Sequence, residues 1–256
     1  MKKYLLFLLI FASCQKQEAP VTIQDNKPII DTKLVPNPND VEAAKAQEVA
    51  DRRNPPRPPK PIKTFPNNNI AALVLIDTNG HAATGAWAQQ FGVDTLYHRP
   101  AGITVEAVNT IMYEARMVLD TINVNFTLSE AEYQAYTGKK TRCVITADAY
   151  YPASGVAFRG SMALPNSEVY VFVPMLYGVT NWIRKIVVHE LGHAMGLAHQ
   201  SAWVNCVKTA EYRDGMVMGV HWNFEGSFAI GPTSESCTTL EDGIPKMAQM
   251  VGYRPR

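Results

Sequence analysis

His189-Glu190-Leu191-Gly192-His193-Ala194-Met195-Gly196-Leu197-Ala198-His199 is the stretch from which the rest of the chain can be read. On a helix, His189 and His193 share one face about one turn apart, with ~6 Å of rise between them. Two imidazoles so placed can hold one tetrahedral metal at roughly 2.0–2.1 Å each. Glu190 projects beside such a metal rather than onto it, where a general base for a metal-bound water is needed. A third ligand from the next helical turn would run past the metal, so the chain must bend back. Gly196 supplies the bend, because glycine accepts the left-handed conformation that ends helices. His199 then completes three neutral nitrogens and leaves a fourth position for water, the layout of a catalytic site rather than a closed structural one.

This stretch resembles the extended zinc signature of the metzincin clan of metallopeptidases, H-E-x-x-H-x-x-G-x-x-H. The resemblance implies one catalytic zinc ion on His189, His193 and His199. It also implies an endopeptidase in which a zinc-bound water, activated by Glu190, attacks the peptide carbonyl. The clan places a methionine in a tight turn under the zinc, and Gly215-Met216-Val217-Met218-Gly219 is the candidate. Met218 is favoured because hydrophobic-Met-Gly is a frequent form of that turn; Met216 is the runner-up. Several members carry a tyrosine two residues after the methionine, but Val220 stands there, which leaves oxyanion stabilisation to the metal and backbone N–H groups. His221 and Trp222 lie close by as candidates for a primed-side pocket. His81 and His98 have no ligand-like spacing.

The chain has 256 residues, 46% of them hydrophobic, and a formal charge of +1. That is enough for one domain with a sizeable core, and no basic run interleaved with aromatics points to nucleic acid. Lys2 and Lys3 precede an apolar run from Tyr4 to Ala12, too short to span a bilayer at ~20 residues, which reads as a secretory signal. Its end, Phe11-Ala12-Ser13-Cys14, resembles a bacterial lipoprotein signal, in which Cys14 is lipidated and becomes the mature N-terminus. Phe11 departs from the usual leucine; the alternative is an ordinary signal peptide with an incidental cysteine. Gln15-Lys16-Gln17-Glu18 loosely resembles a surface-export tag of Bacteroidetes lipoproteins. The location implied is the outer membrane, facing the periplasm or the surface, or release from the cell. An exported chain meets an oxidising compartment, so Cys206 and Cys237, both in polar loop-like sequence, are expected to pair, while Cys143 reads as a buried thiol.

From Gln15 to about Asn68 little sequence favours folding. A charged, Ala-containing patch from Asp40 to Arg53 suits a transient helix, and Asn54-Pro55-Pro56-Arg57-Pro58-Pro59-Lys60-Pro61 suits extended polyproline conformation. The stretch reads as a spacer, with a propeptide as the alternative. No cysteine lies between Cys14 and Cys143, so a cysteine latch on the metal is unavailable; an aspartate in that role stays open.

Ile70–Ile76 is an unbroken apolar run, the mark of a strand buried on both faces. Gly85–Gly102 has no assignable pattern. Thr104 is an N-cap candidate for a helix with Val105, Val108, Ile111, Met112, Ala115, Val118 and Leu119 on one face. Val124, Phe126 and Leu128 alternate as a half-buried strand, and further strands are expected at Arg142–Ala147, Val156–Ser161 and Glu168–Val173. Asn181 is the candidate cap of the histidine helix. Val156-Ala157-Phe158-Arg159-Gly160-Ser161 is the candidate edge strand, its free backbone groups suited to binding an extended peptide; Ala157, Phe158, Arg159 and Gly160 are the residues implicated.

The expectation is an α+β, metzincin-like zincin fold: a twisted mixed sheet, a backing helix, the histidine helix, and a small C-terminal subdomain with the methionine turn and a C-terminal helix. Residues 1–13 are the signal, 14–68 the spacer, and 69–256 the catalytic domain, divided at 199/200. Partners are a peptide or protein substrate and, through Cys14, a membrane; a monomer is expected. The rival function is a non-catalytic zinc-binding adhesin on a protease-like scaffold, against which the presence of Glu190 argues.

Overall fold

The computed structural model describes residues 28–30, 38–53, 72–210, 218, 228, 230–233 and 235–255. A six-stranded mixed sheet forms its centre. Its strands are β1 (Ile29–Ile30), β2 (Ala72–Asp77), β5 (Val124–Thr127), β6 (Lys139–Thr146), β7 (Gly155–Ala157) and β8 (Ser167–Phe172), in the order β1-β7-β8-β6-β2-β5. The run β5-β2-β6-β8 is parallel, and β7 and β1 are antiparallel additions at one edge. Every residue of β2 is buried, as expected for a central strand covered on both faces.

One face carries helices α3 (Val105–Val118) and α5 (Thr180–Ala194). Val74, Ile76, Cys143, Ile145, Val169 and Val171 point into the main core with Ile111, Ala115, Ile183, Ile186 and Val187. Thr104 caps α3, its Oγ1 accepting from the Ala107 N–H at 3.1 Å. Ala107, Val108, Ile111 and Ala115 form the buried stripe, whereas Val105 at the first turn is 75% exposed. The other face is covered by residues 81–98, most of them in the Gly85–Gly102 segment that has no assignable sequence pattern. There β3 (His81–Thr84) and β4 (Thr95–His98) form a hairpin around the short helix α2 (Ala86–Gln90). Trp87 of α2 packs on Phe158 and Tyr170, with ring centroids 4.5 and 4.7 Å away. A further short helix, α4 (Glu130–Ala135), links β5 to β6.

Helix α5 is buried almost all round, as a helix between a sheet and a neighbouring helix must be. Its cap differs from the expectation. Asn181 lies inside the first turn, and Val179 at the cap position offers no side-chain acceptor. The acceptor comes instead from helix α1 (Val41–Arg53), whose Glu48 Oε1 takes the Asn181 N–H at 2.9 Å. A carboxylate at that end also complements the helix dipole.

Beyond α5 lie two small hairpins, β9 (Ala202–Val204) with β10 (Val207–Ala210), and β11 (Ile230–Pro232) with β12 (Leu240–Asp242), then helix α6 (Gly243–Val251). Cys206 and Cys237 are joined by a disulfide across a sequence separation of 31. Cys143 is a buried free thiol, and burial pushes its pKa up, so it stays protonated and unreactive.

Candidate metal centre

Helix α5 ends where the sequence requires it to. The N–H of Gly196 bonds to His193 O at 2.8 Å, and that of Leu197 to Gly192 O at 3.0 Å, the paired bonds of a Schellman motif. Gly196 has φ +100°, a conformation that side chains rarely adopt. The reversal brings His199 back over the last turn of the helix.

Three imidazoles then converge. His193 Nε2 lies 3.1 Å from both His189 Nε2 and His199 Nε2, and those two lie 3.2 Å from each other. His189 and His193 are fully buried and His199 is half-buried. His193 Nδ1 sits 2.8 Å from Leu197 O. A carbonyl has no proton to give, so Nδ1 carries the hydrogen, and the neutral ring presents a bare lone pair at Nε2.

The donor set fits a cation. Tetrahedral ligands at ~2.0–2.1 Å from one ion stand roughly 3.3 Å apart, close to the separations here. Three imidazole nitrogens directed at one point without a cation would set lone pairs against one another. The cluster can therefore bind a metal ion, and its all-imidazole composition suits zinc, copper, iron or nickel.

Glu190 is fully buried between α5 and the start of β7. Gly155 makes that fit possible: a Cβ there would meet Ile186 Cγ2 at 2.7 Å and Glu190 Cγ at 2.8 Å, and would collide with Glu190 Oε1. Met218 is buried against the opposite side of the helix, where a Cβ on Gly192 would come within 2.6 Å of its Sδ. Its carbonyl accepts from the Gln200 N–H at 3.2 Å, tying it to the residue after His199. Met216, Val220, His221, Trp222 and Cys14 lie outside the described residues.

The candidate substrate strand is shorter than expected, ending at Ala157, and its residues serve as braces. Ala157 faces the main core. Phe158 points to the opposite sheet face and packs under Trp87, away from the histidines. Gly160, left-handed at φ +76°, directs its N–H to His193 O at 2.9 Å. Arg159 reaches Gly196 O through Nε at 3.0 Å and approaches Glu241 Oε2 at 3.4 Å. Nor is the outer edge of β7 open, because Ile29 and Ile30 pair with Ala157 and Val156.

Glu241 is the residue that sequence reasoning missed. It is buried, its Oε1 accepts from the Ala198 N–H at 2.8 Å, and its backbone O accepts from Gln200 Nε2 at 3.0 Å. These bonds clamp the residues on both sides of His199. Arg159 and Lys246 balance the carboxylate. A lone Glu in Leu240-Glu241-Asp242 carries no motif, and its partners are some forty positions away. His81 and His98 stand opposite each other in the β3–β4 hairpin, on the far face of the sheet from the cluster.

No protein-family model matches the chain, and no curated protein matches it. Fold and site therefore rest on the chain's own residues.

Proposed function

We propose that this chain is a zinc-dependent endopeptidase of the metzincin type. The observation that carries the reading is the convergence of three imidazole nitrogens within 3.2 Å, with a buried carboxylate on the residue after the first of them. A site that only binds metal has no use for Glu190. The mixed sheet with an antiparallel edge strand beside the histidine helix, and Met218 beneath that helix, agree with the same reading.

His189, His193 and His199 would hold the ion. Bound zinc would lower the pKa of a water toward ~7 and polarise the scissile carbonyl. Glu190 takes a proton from the attacking water as oxygen adds to the carbonyl carbon. It then delivers that proton to the amine nitrogen as the C–N bond breaks. Gly155 and Ile186 pack around the carboxylate and fix its position beside the histidines. His193 stays in the tautomer set by Leu197 O. Lipid attachment at Cys14 would keep the enzyme at the bacterial envelope, a reading that rests on the signal sequence.

The test is elemental analysis of the purified chain together with incubation against a mixed peptide library, with and without chelator, beside Glu190→Gln. About one equivalent of zinc and chelator-sensitive internal cleavage, lost in a variant that keeps its zinc, support the reading. Zinc without cleavage would make it a binding module. A folded chain without affinity for metal would remove the basis of both.

A further inference from the structure

The sheet face opposite the histidine helix is only partly covered. Cys143 and Ile145 of β6 face the main core, so the alternation of the strand sends Lys140, Arg142 and Val144 to the other side. There Trp87 and Ala83 cover Val144, Tyr170 and Phe172. Toward the start of β6 and β8 lies a cleft of about 770 Å³, floored by Lys140, Arg142 and Glu168 and walled by α2, α4 and residues 164–166. Its volume falls among small-molecule sites, which span about 300–1,000 Å³. Every charge in the floor is already paired. Arg142 donates to Asp77 and, at 2.8 and 2.6 Å, to the two oxygens of Glu130. Glu168 accepts from the Tyr170 hydroxyl and lies 2.7 Å from His81 Nε2. Lys140 Nζ donates to the carbonyls of Tyr133 and Tyr136 at 2.9 and 3.0 Å. The rim is the reverse. Gln89, Gln90 and Asn166 are exposed, and their side chains make no hydrogen bond among the described residues.

That contrast selects a class of ligand. An anion would meet Asp77, Glu130 and Glu168, and a cation would meet Arg142 and Lys140, each at the expense of a pair already made. An apolar ligand would strip water from the amides and return no hydrogen bond. A peptide is best held through backbone groups at a strand edge, but this cleft lies over a sheet face whose backbone is paired along β2, β6 and β8. What stays open is neutral: amides, which donate and accept at once. Sugar hydroxyls do the same, and the apolar C–H faces of pyranose rings match Trp87 and Tyr133 in the walls. We propose that this cleft binds a neutral oligosaccharide, so that the chain carries a glycan site distinct from its histidine centre. The proposal does not depend on the hydrolase reading, because the two sites lie on opposite faces of the sheet.

Titration calorimetry and saturation-transfer NMR on the full chain test it. The probes are the neutral trisaccharides cellotriose, maltotriose, mannotriose and N-acetylated chitotriose. Beside them stand anionic trigalacturonate, cationic deacetylated chitotriose and a trialanine peptide blocked at both ends. Three variants act on the cleft. Ala86→Trp places a large side chain on an exposed position of its wall. Gln89→Ala with Gln90→Ala removes two rim amides, and Asn166→Gly removes a third while accepting its left-handed φ of 59°. Folding is checked by circular dichroism. At least one neutral trisaccharide should bind with a submillimolar Kd and outcompete the charged sugars and the peptide. Its affinity should fall about tenfold or more in Ala86→Trp and by a smaller factor in each amide variant, as expected for lost hydrogen bonds. A chelator or Glu190→Gln should leave it unchanged. Failure of every neutral trisaccharide to bind would overturn the proposal, as would tighter binding of a charged sugar. Tighter binding of the peptide, lost in Ala86→Trp, would make the cleft a peptide site instead. Sugar binding indifferent to all three folded variants would place the sugar elsewhere and likewise overturn it.

Discussion

Gly155 and Glu190 are packed so closely that no side chain can stand between them: a Cβ on residue 155 would collide with Glu190 Oε1 and meet Ile186 Cγ2 at 2.7 Å. Strand β7 thus sets the position of the proposed base. Gly155→Ala should push the carboxylate or the strand aside, and overpacking of this kind costs about 1–3 kcal/mol. The expected outcome is a lower melting temperature and a loss of kcat larger than any change in KM, with metal content retained. An alanine variant that melts and turns over like the parent would show that Glu190 is not held by this contact.

The three histidines are not equivalent. His189 and His193 are held by the helix, and His193 is further held by Leu197 O at 2.8 Å, whereas His199 depends on the Gly196 reversal and the loop behind it. His199→Ala should lower zinc affinity sharply while leaving the fold, because the residue is half-buried and lies outside the packed helix. Competition against a chromophoric chelator measures this directly. An unchanged affinity would mean that His199 is no ligand.

Much of this centre was legible because it is local. The spacing of His189, His193, Gly196 and His199 spans three turns of chain, and periodicity within that window prescribes both helix and reversal. The same holds for Thr104 as the cap of α3. What escaped was non-local. The Glu48 cap on α5 joins positions 133 residues apart, whereas sequence offers Asn181, a nearby residue that the structure places inside the first turn. The β1–β7 pairing rests on two residues, Ile29 and Ile30, in a stretch whose composition suggests a linker. Gly85–Gly102 holds a five-residue helix and a four-residue strand that pairs with His81–Thr84 just before it, each too short to show a period. Strand addition through exposed backbone points to Phe158 and Arg159 as substrate contacts, but the alternation of sides sends Phe158 to the Trp87 cluster and leaves Arg159 to brace Gly196.

Glu241 provides a test of how the His199 loop is held. It is a positioning residue, bonding Ala198 N and Gln200 Nε2 on either side of the ligand. Glu241→Gln keeps the shape and an acceptor oxygen but leaves Arg159 and Lys246 without their shared charge; Glu241→Ala removes the clamp on Ala198 as well. Losing a charged partner from a buried hydrogen-bonded pair costs about 3–5 kcal/mol. Zinc affinity should fall in the order parent, Gln, Ala, with the loss carried by faster zinc dissociation. A merely structural role would lower the melting temperature and leave the off-rate of the metal unchanged.

His98 controls acid stability on the other side of the sheet. Its ring is stacked on Tyr170 and meets Tyr150 edge-on, and neither ring nitrogen has a hydrogen-bond partner among the described residues. Burial, with His81 adding repulsion against the partial offset of Asp148 and Glu168, lowers its pKa from 6.5 to about 4. The folded chain therefore keeps His98 neutral where the unfolded chain takes up a proton. Stability from this residue is complete above about pH 6.5, is lost as pH falls toward 4, and changes no further below that, when both states are protonated. The contribution is at most on the order of 3 kcal/mol. His98→Phe keeps the ring contacts with Tyr170 and Tyr150 but cannot titrate. Its melting temperature should match the parent near pH 7 and fall less steeply between pH 6.5 and 4, the window set by the two values above. Parallel melting curves for parent and variant across that window would show that His98 is not the group that couples folding to acid.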